Sequence, residues 1–372
     1  NYHLTQSSAA LNMGRNTFTT EKVIVPRPNS SNVDDMKPGE GLSNISYWSN
    51  YSYVTIDNDV NLFDYTDMDY TDRVKDCTVD AGAYERSNED NIQDNNGVYY
   101  VTIPGNGLAN GSSPENAACR MKLQEILYAA GERAALGETA IVKLAGYENA
   151  TSGDTNTDNI YWANTLYDPN DPQSYTFVIP YGVTVMGGYT ENFTEGDNRD
   201  AAQYMTVLSP IAIKGGQTVN GYHAVTFGAP PTSTTAETGA TIIDGLYLEG
   251  GRATSQAGVG NHKTRGGGAI VPAYAHVRNC VVRNNEAIQG GGLYVLPGGL
   301  VTGCGVMENK ADEGAGIYLD NDNDNAKDEN RSLIVSSTLA ANTASQIGGG
   351  IYLEDQAGCV INTCLLYTSD AA

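Results

Sequence analysis

The sequence predicts an all-β chain wound as a single-stranded parallel β-helix, a solenoid, with a short capping helix near its N-terminal end. Three observations predict this. Glycine clusters recur at Gly266-Gly267-Gly268, Gly290-Gly291-Gly292, Gly314-Ala315-Gly316 and Gly348-Gly349-Gly350, starting 24, 24 and 34 residues apart. After each cluster a period-two strand pattern repeats: Ala269, Leu293, Ile317 and Ile351, then Ile270, Tyr294, Tyr318 and Tyr352, then Val271, Val295, Leu319 and Leu353. Period two sends the first and third columns to one face and the second to the other. A second strand follows, with Val277, Val301, Ile334 and Val360 in one column and Cys280, Cys304, Ser337 and Thr363 in the next. Units of this size bury their apolar faces only against their neighbours, so like residues stack about 4.8 Å apart. The repeats lack both the leucine consensus of a leucine-rich repeat and the longer period of a propeller.

The elements follow in order. Val98-Tyr99-Tyr100-Val101-Thr102 alternates as a strand, and Gly105-Asn106-Gly107 and Asn110-Gly111-Ser112 are loop signals. Ser113-Pro114-Glu115 supplies an N-cap, a first-turn proline and a first-turn acid. Ala117, Ala118, Met121, Ile126, Leu127 and Ala130 then outline a helix over about 114–130. Its expected role is to cover the open end of the β-helix, whose first coil leaves backbone groups unpaired. Strand pieces follow at Ile141 to Leu144, Phe177 to Ile179 and Val183 to Gly188. Asp244 to Leu248 already fits the repeat, so regular coils are expected over about 240–363. Asn285, Asn309 and Asn342 mark a turn. Asparagine suits it because it tolerates left-handed dihedrals and its stacked amides can bond from coil to coil.

These residues resemble a known group. Gly267-Gly268-Ala269-Ile270, with Val282 to Asn285, Val306 to Asn309 and Leu339 to Asn342, is similar to the repeats of bacterial polymorphic outer membrane proteins and related adhesin-type surface proteins. That family pairs Gly-Gly-Ala-Ile with Phe-x-x-Asn, and here Val or Leu replaces Phe. The resemblance implies a right-handed β-helix and an extracellular or bacterial outer-surface location. Val79-Asp80-Ala81-Gly82-Ala83-Tyr84-Glu85 resembles the ending of such a module. Residues 1–86 therefore read as the tail of an upstream module or an irregular extension, 87–97 as a linker and 98–363 as one β-helix module. The tail 364–372, Cys364-Leu365-Leu366-Tyr367-Thr368-Ser369-Asp370-Ala371-Ala372, reads as translated sequencing-adapter DNA that breaks the register. The chain starts at Asn1 without an initiator Met and shows neither a signal peptide nor a membrane-length apolar segment, an absence that is uninformative about targeting.

A net charge of −23 argues against a nucleic-acid backbone as partner and favours solubility or cations. The six cysteines show no CxxC or His-linked metal spacing. Cys280 and Cys304 share a column, as free thiols in the core or as a vertical disulfide. Two patterns point to ligands. Asp320, Asp322, Asp324 and Asp328 lie in an insertion resembling the alternating-carboxylate loops that hold Ca²⁺, against the simpler reading of a solvated acidic loop. Tyr294, Tyr318 and Tyr352 form an outward column able to stack on sugar rings, against a purely stabilising ladder. No pair of acids with hydrolase spacing emerges, and His3, His223, His262 and His276 are scattered. The expected function is a non-enzymatic secreted or cell-surface module, a stalk or adhesin-like surface for a polysaccharide or cell-surface ligand. The alternative is a carbohydrate-active enzyme, a polysaccharide lyase or polygalacturonase-like hydrolase, since fold alone fixes no activity.

Overall fold

The computed structural model describes residues 24–28, 51–55 and 92–366, less 149, 151–158, 164, 195–198, 215–216, 233–236, 238, 256–260, 321–331 and 355–357. The chain divides into two compact units, Asn1–Asn88 and Glu89–Ala372. In the first, Ile24–Pro28 pairs antiparallel with Tyr51–Thr55. The module ending expected at Val79 to Glu85 lies outside the described residues.

The second unit is built from parallel strands stacked in sheets. One circuit of the chain runs Ala269–Val271, Ala275–Arg278, Val281–Arg283 and Glu286–Ala287, each strand entering a different sheet. Leu293–Val295 then returns beside Ala269–Val271. The result is a six-stranded, a nine-stranded, a seven-stranded and a four-stranded sheet, compatible with an all-β parallel solenoid. Among the described residues one α-helix, α1 (Leu123–Ala135), one further pair of antiparallel strands, Ile211–Lys214 with Gln217–Asn220, and three isolated antiparallel bridges interrupt the pattern. The predicted columns are the observed register: Ala269 pairs with Leu293, Leu293 with Ile317 and Ile317 with Ile351.

Glycine turns let neighbouring coils approach closely. The first glycine of each cluster has a positive φ, 61° at Gly266 and 66° at Gly290, which a side chain opposes. A Cβ at Gly292 would lie 2.5 Å from the Gly316 carbonyl of the next coil. Inside, Val271, Val277, Val282, Leu293, Val295, Val301, Ile317 and Leu339 are wholly buried in one core. Cys280 and Cys304 belong to that core as free thiols, and burial pushes the Cys280 thiol up.

The capping helix begins later than expected. Pro114–Asn116 makes only a short 3₁₀ turn, and the Ser113 side chain caps nothing. Ala117 turns extended, and Ala118–Cys119 instead pairs with Val101–Thr102. The sheet edge outcompetes the helix there, and α1 starts at Leu123. Its Leu123, Ile126, Leu127 and Ala130 pack into the main core with Val101, Val142, Phe177 and Ile179. Phe177–Ile179 is the edge of the six-stranded sheet. There Gln124 substitutes for a missing strand: its Nε2 donates to the Val178 carbonyl and its Oε1 accepts from the Val178 N–H, both at 2.9 Å.

Two boundaries differ from expectation. Residues 92–97 belong to the second unit, where Asn95 pairs with Val98 and Asp94 pairs with Arg133 at 3.0 Å. Cys364–Leu366 continues the seven-stranded sheet, Leu365 standing beside Leu339, so this part of the tail keeps the register.

Candidate functional site

The outer face of the six-stranded sheet carries a groove. Its floor comes from the outward positions Thr226 and Ile270, which directly follow the paired Val225 and Ala269. Chain segments on either side contribute Tyr167, Tyr175, Tyr222, Tyr274, His223 and His262, enclosing a cavity of about 400 Å³. Tyr167 is exposed, whereas Tyr175, Tyr222 and His223 are buried in the wall. The Thr176 and Thr226 hydroxyls bond to each other at 3.0 Å. At the mouth Lys263 pairs with Asp171 at 2.5 Å and lies over the Tyr222 ring.

His223 sets the polarity of this cavity. Its Nδ1 lies 2.8 Å from the Gly266 carbonyl, which can only accept, so Nδ1 carries the proton. Nε2 is then an acceptor, and it has no partner although the residue is only 7 % exposed. Burial lowers the His223 pKa to about 4, so the ring is neutral near neutral pH. A buried acceptor left unpaired is costly, and a donor from a bound molecule would relieve it. Aromatic walls with one oriented acceptor suit a ring that is apolar on its face and hydroxylated at its edge.

Beyond the cavity the same column turns charged. Pro272 and Leu296 line the cavity directly after their strands, and the same place in the next two coils is held by Asp320 and Glu354. The ladder fixes this: Asp320 N donates to Val295 O at 2.9 Å and Glu354 N to Leu319 O at 3.0 Å. Asp320 is 2 % exposed, and its Oδ2 has no hydrogen-bond partner. Arg265 reaches that oxygen only at 4.0 Å, because its guanidinium lies 4.4 Å over the Tyr294 ring. The Tyr294 hydroxyl is buried and unpaired as well, close beside Asp320 without attaining hydrogen-bond geometry. Burial, and then the Asp320 carboxylate, push this phenol far up. Burial and the adjacent Asp320 raise Glu354 against the opposing bond from Tyr318.

The residues singled out from sequence fall as follows. Tyr294 and Tyr318 stand on the outer face but are 0 % and 2 % exposed, and Tyr352 is half-buried. Their rings lie 4.9 Å apart in sequence order, the first two nearly parallel at 10°. The faces of Tyr294 and Tyr318 are taken by one another, by Tyr352 and by Arg265, so these two offer no sugar-stacking surface; the aromatic groove lies beside them. Asp322, Asp324 and Asp328 lie outside the described residues, while Asp320 joins Glu354. Among the described residues no group of three or more His, Cys, Asp or Glu is placed to hold a metal ion.

Asn285, Asn309 and Asn342 form a continuous buried amide ladder. Asn285 Nδ2 donates to Asn309 Oδ1 at 3.1 Å and Asn309 Nδ2 to Asn342 Oδ1 at 3.0 Å. The left-handed residues are instead their predecessors Asn284, Glu308 and Ala341, so hydrogen bonding, not dihedral tolerance, explains these asparagines. Sequence reasoning missed His223 and Glu354. The signal for Glu354 was its offset from Gly348, equal to that of Asp320 from Gly314; His223 precedes the regular repeat and gave none. Compared with known proteins, the chain matches no family model, no curated protein and no solved structure.

Proposed function

We propose that this chain is a secreted or cell-surface module of right-handed parallel β-helix type that binds carbohydrate in the aromatic groove and is not an enzyme. The observation that carries the reading is His223 Nε2, a buried neutral acceptor without a partner inside a cavity walled by tyrosines. A pyranose offers the matching surface, with C–H faces for Tyr167, Tyr222 and Tyr274 and hydroxyl donors for the imidazole. The disulfide that Cys119 forms supports an oxidising, extracellular setting. The stacked coils supply the rigidity a stalk or adhesin-like surface needs.

Glycan-array binding by the full chain tests this. Wild type is expected to retain a set of glycans that His223→Ala and Tyr167→Ala each weaken at least tenfold; Tyr167 is exposed, so its removal leaves the fold intact. Binding that survives both substitutions removes the groove from the function. The enzyme alternative has one supporting observation, the Asp320–Glu354 pair. Hydrolysis needs two carboxyls flanking a scissile bond, whereas Asp320 and Glu354 are vertical neighbours whose carboxyls lie against each other. Reducing ends or unsaturated products released from polysaccharides by the full chain would replace the binding reading with that alternative.

A further inference from the structure

We propose that Asp320 and Glu354 form a cation-selecting subsite at the end of the groove, and that the ligand is a glycan carrying free amino groups. The proposal rests on the groove reading and extends it along the coil axis. Continuity comes from the shared column: Pro272 and Leu296 line the cavity, and Asp320 and Glu354 occupy the next two places. A sugar chain lying along the sheet would cross one coil about every 4.8 Å, so a residue seated near His223 has neighbours opposite the acids.

The charge count at this end favours a cation. Asp320 and Glu354 are vertical neighbours, and Glu313 stands nearby, its carboxylate accepting from Gln289 Nε2 at 2.9 Å. Against these three carboxylates the described residues set one guanidinium, Arg265. It is held over Tyr294 at 4.4 Å and leans on Gln289 Oε1 at 3.4 Å, leaving Asp320 Oδ2 at 4.0 Å. The buried Tyr294 hydroxyl beside Asp320 completes no hydrogen bond either, so phenol and carboxylate share one unmet site. An ammonium group has three donors and one charge; it can satisfy Asp320 Oδ2 and the phenol oxygen and neutralise the pair, with half-buried Glu354 forming the accessible lip. Glu354, raised by burial and by Asp320, is the acid such a cation would relieve. A neutral hydroxyl would pair one oxygen and leave the charge. Calcium wants six to eight oxygens, more than the described side chains here offer.

Calorimetry on the full chain, at a pH where the amines are protonated, tests the subsite. The probes are glucosamine oligomers and the same oligomers N-acetylated, which keep the ring but lose the cation. The glucosamine oligomer is expected to bind at least tenfold tighter. Asp320→Asn combined with Glu354→Gln, which preserves shape, should erase that preference and leave the residual binding, whereas His223→Ala should weaken both oligomers alike. Equal affinity of wild type for both oligomers, or a preference that survives the double amide change, overturns the subsite and leaves the groove standing if His223→Ala still weakens binding. Binding of neither oligomer overturns it too. So does a calcium titration whose heat vanishes in the double variant, which would make the pair a metal site.

Discussion

His223 shows how one buried side chain ties binding to acid stability. The folded protein holds the imidazole neutral down to about pH 4, whereas the unfolded chain takes up a proton at the ordinary value of 6.5. Between those values the unfolded state binds more protons, so this group's contribution is present above pH 6.5 and is lost as pH falls towards 4, by roughly 3 kcal/mol. Asp244 behaves differently. Burial works to raise it, but Arg199 at 2.6 Å, Asn279 at 3.1 Å and Arg278 at 2.5 Å outweigh that and hold it below 3.8. Its contribution is lost only below that value, outside the His223 window. Urea unfolding of wild type and His223→Gln from pH 7 to 4.5 should therefore show wild type losing the more stability, by about 2 kcal/mol. Parallel pH profiles would mean that the ring is already protonated, or already exposed, in the folded state.

At the scale of elements, the first coil's edge is where sequence patterning met its limit. Residues 114–130 carried genuine helix signals in Pro114 and the spacing of Ile126 and Leu127, yet Ala118–Cys119 became a strand because Val101–Thr102 offered backbone partners. Local propensity cannot register a competing edge. Nor does any local rule say that Gln124 will use its amide as a surrogate strand for Val178. Gln124→Leu should leave the Val178 N–H and C=O buried and unpaired, at a cost of about 2 kcal/mol, and hydrogen exchange at Val178 should accelerate at least tenfold. Unchanged exchange at Val178 would show that the helix body, through Leu123, Ile126 and Leu127, protects the edge without this amide.

Across the whole second unit, what was legible in the sequence was whatever repeats. The columns Ala269–Leu293–Ile317 and Asn285–Asn309–Asn342 announced vertical neighbours because stacking demands residues of like character at each turn. The groove was not legible, since its walls come from Tyr167, Tyr222 and His223, which precede the regular coils and are brought to them only by the winding. The same architecture predicts how damage spreads. Each coil touches chiefly its neighbours, so stability is a sum of coil and interface contributions and local loss stays local. Asn309 is the central rung: its side chain accepts from Asn285 N and Nδ2 and donates to Val282 O and Asn342 Oδ1. Asn309→Ala strands partners in the coils below and above it and should cost about 3 kcal/mol, several unpaired buried groups being left in place. Hydrogen exchange should quicken across 282–285 and 306–309 and through the coil of Asn342, while α1 and the strand at Val142 keep wild-type protection. A loss of protection spread evenly from Val142 to Leu339 would instead mean that the coils unfold as one cooperative body, and the nearest-neighbour picture of these stacked strands would have to be abandoned.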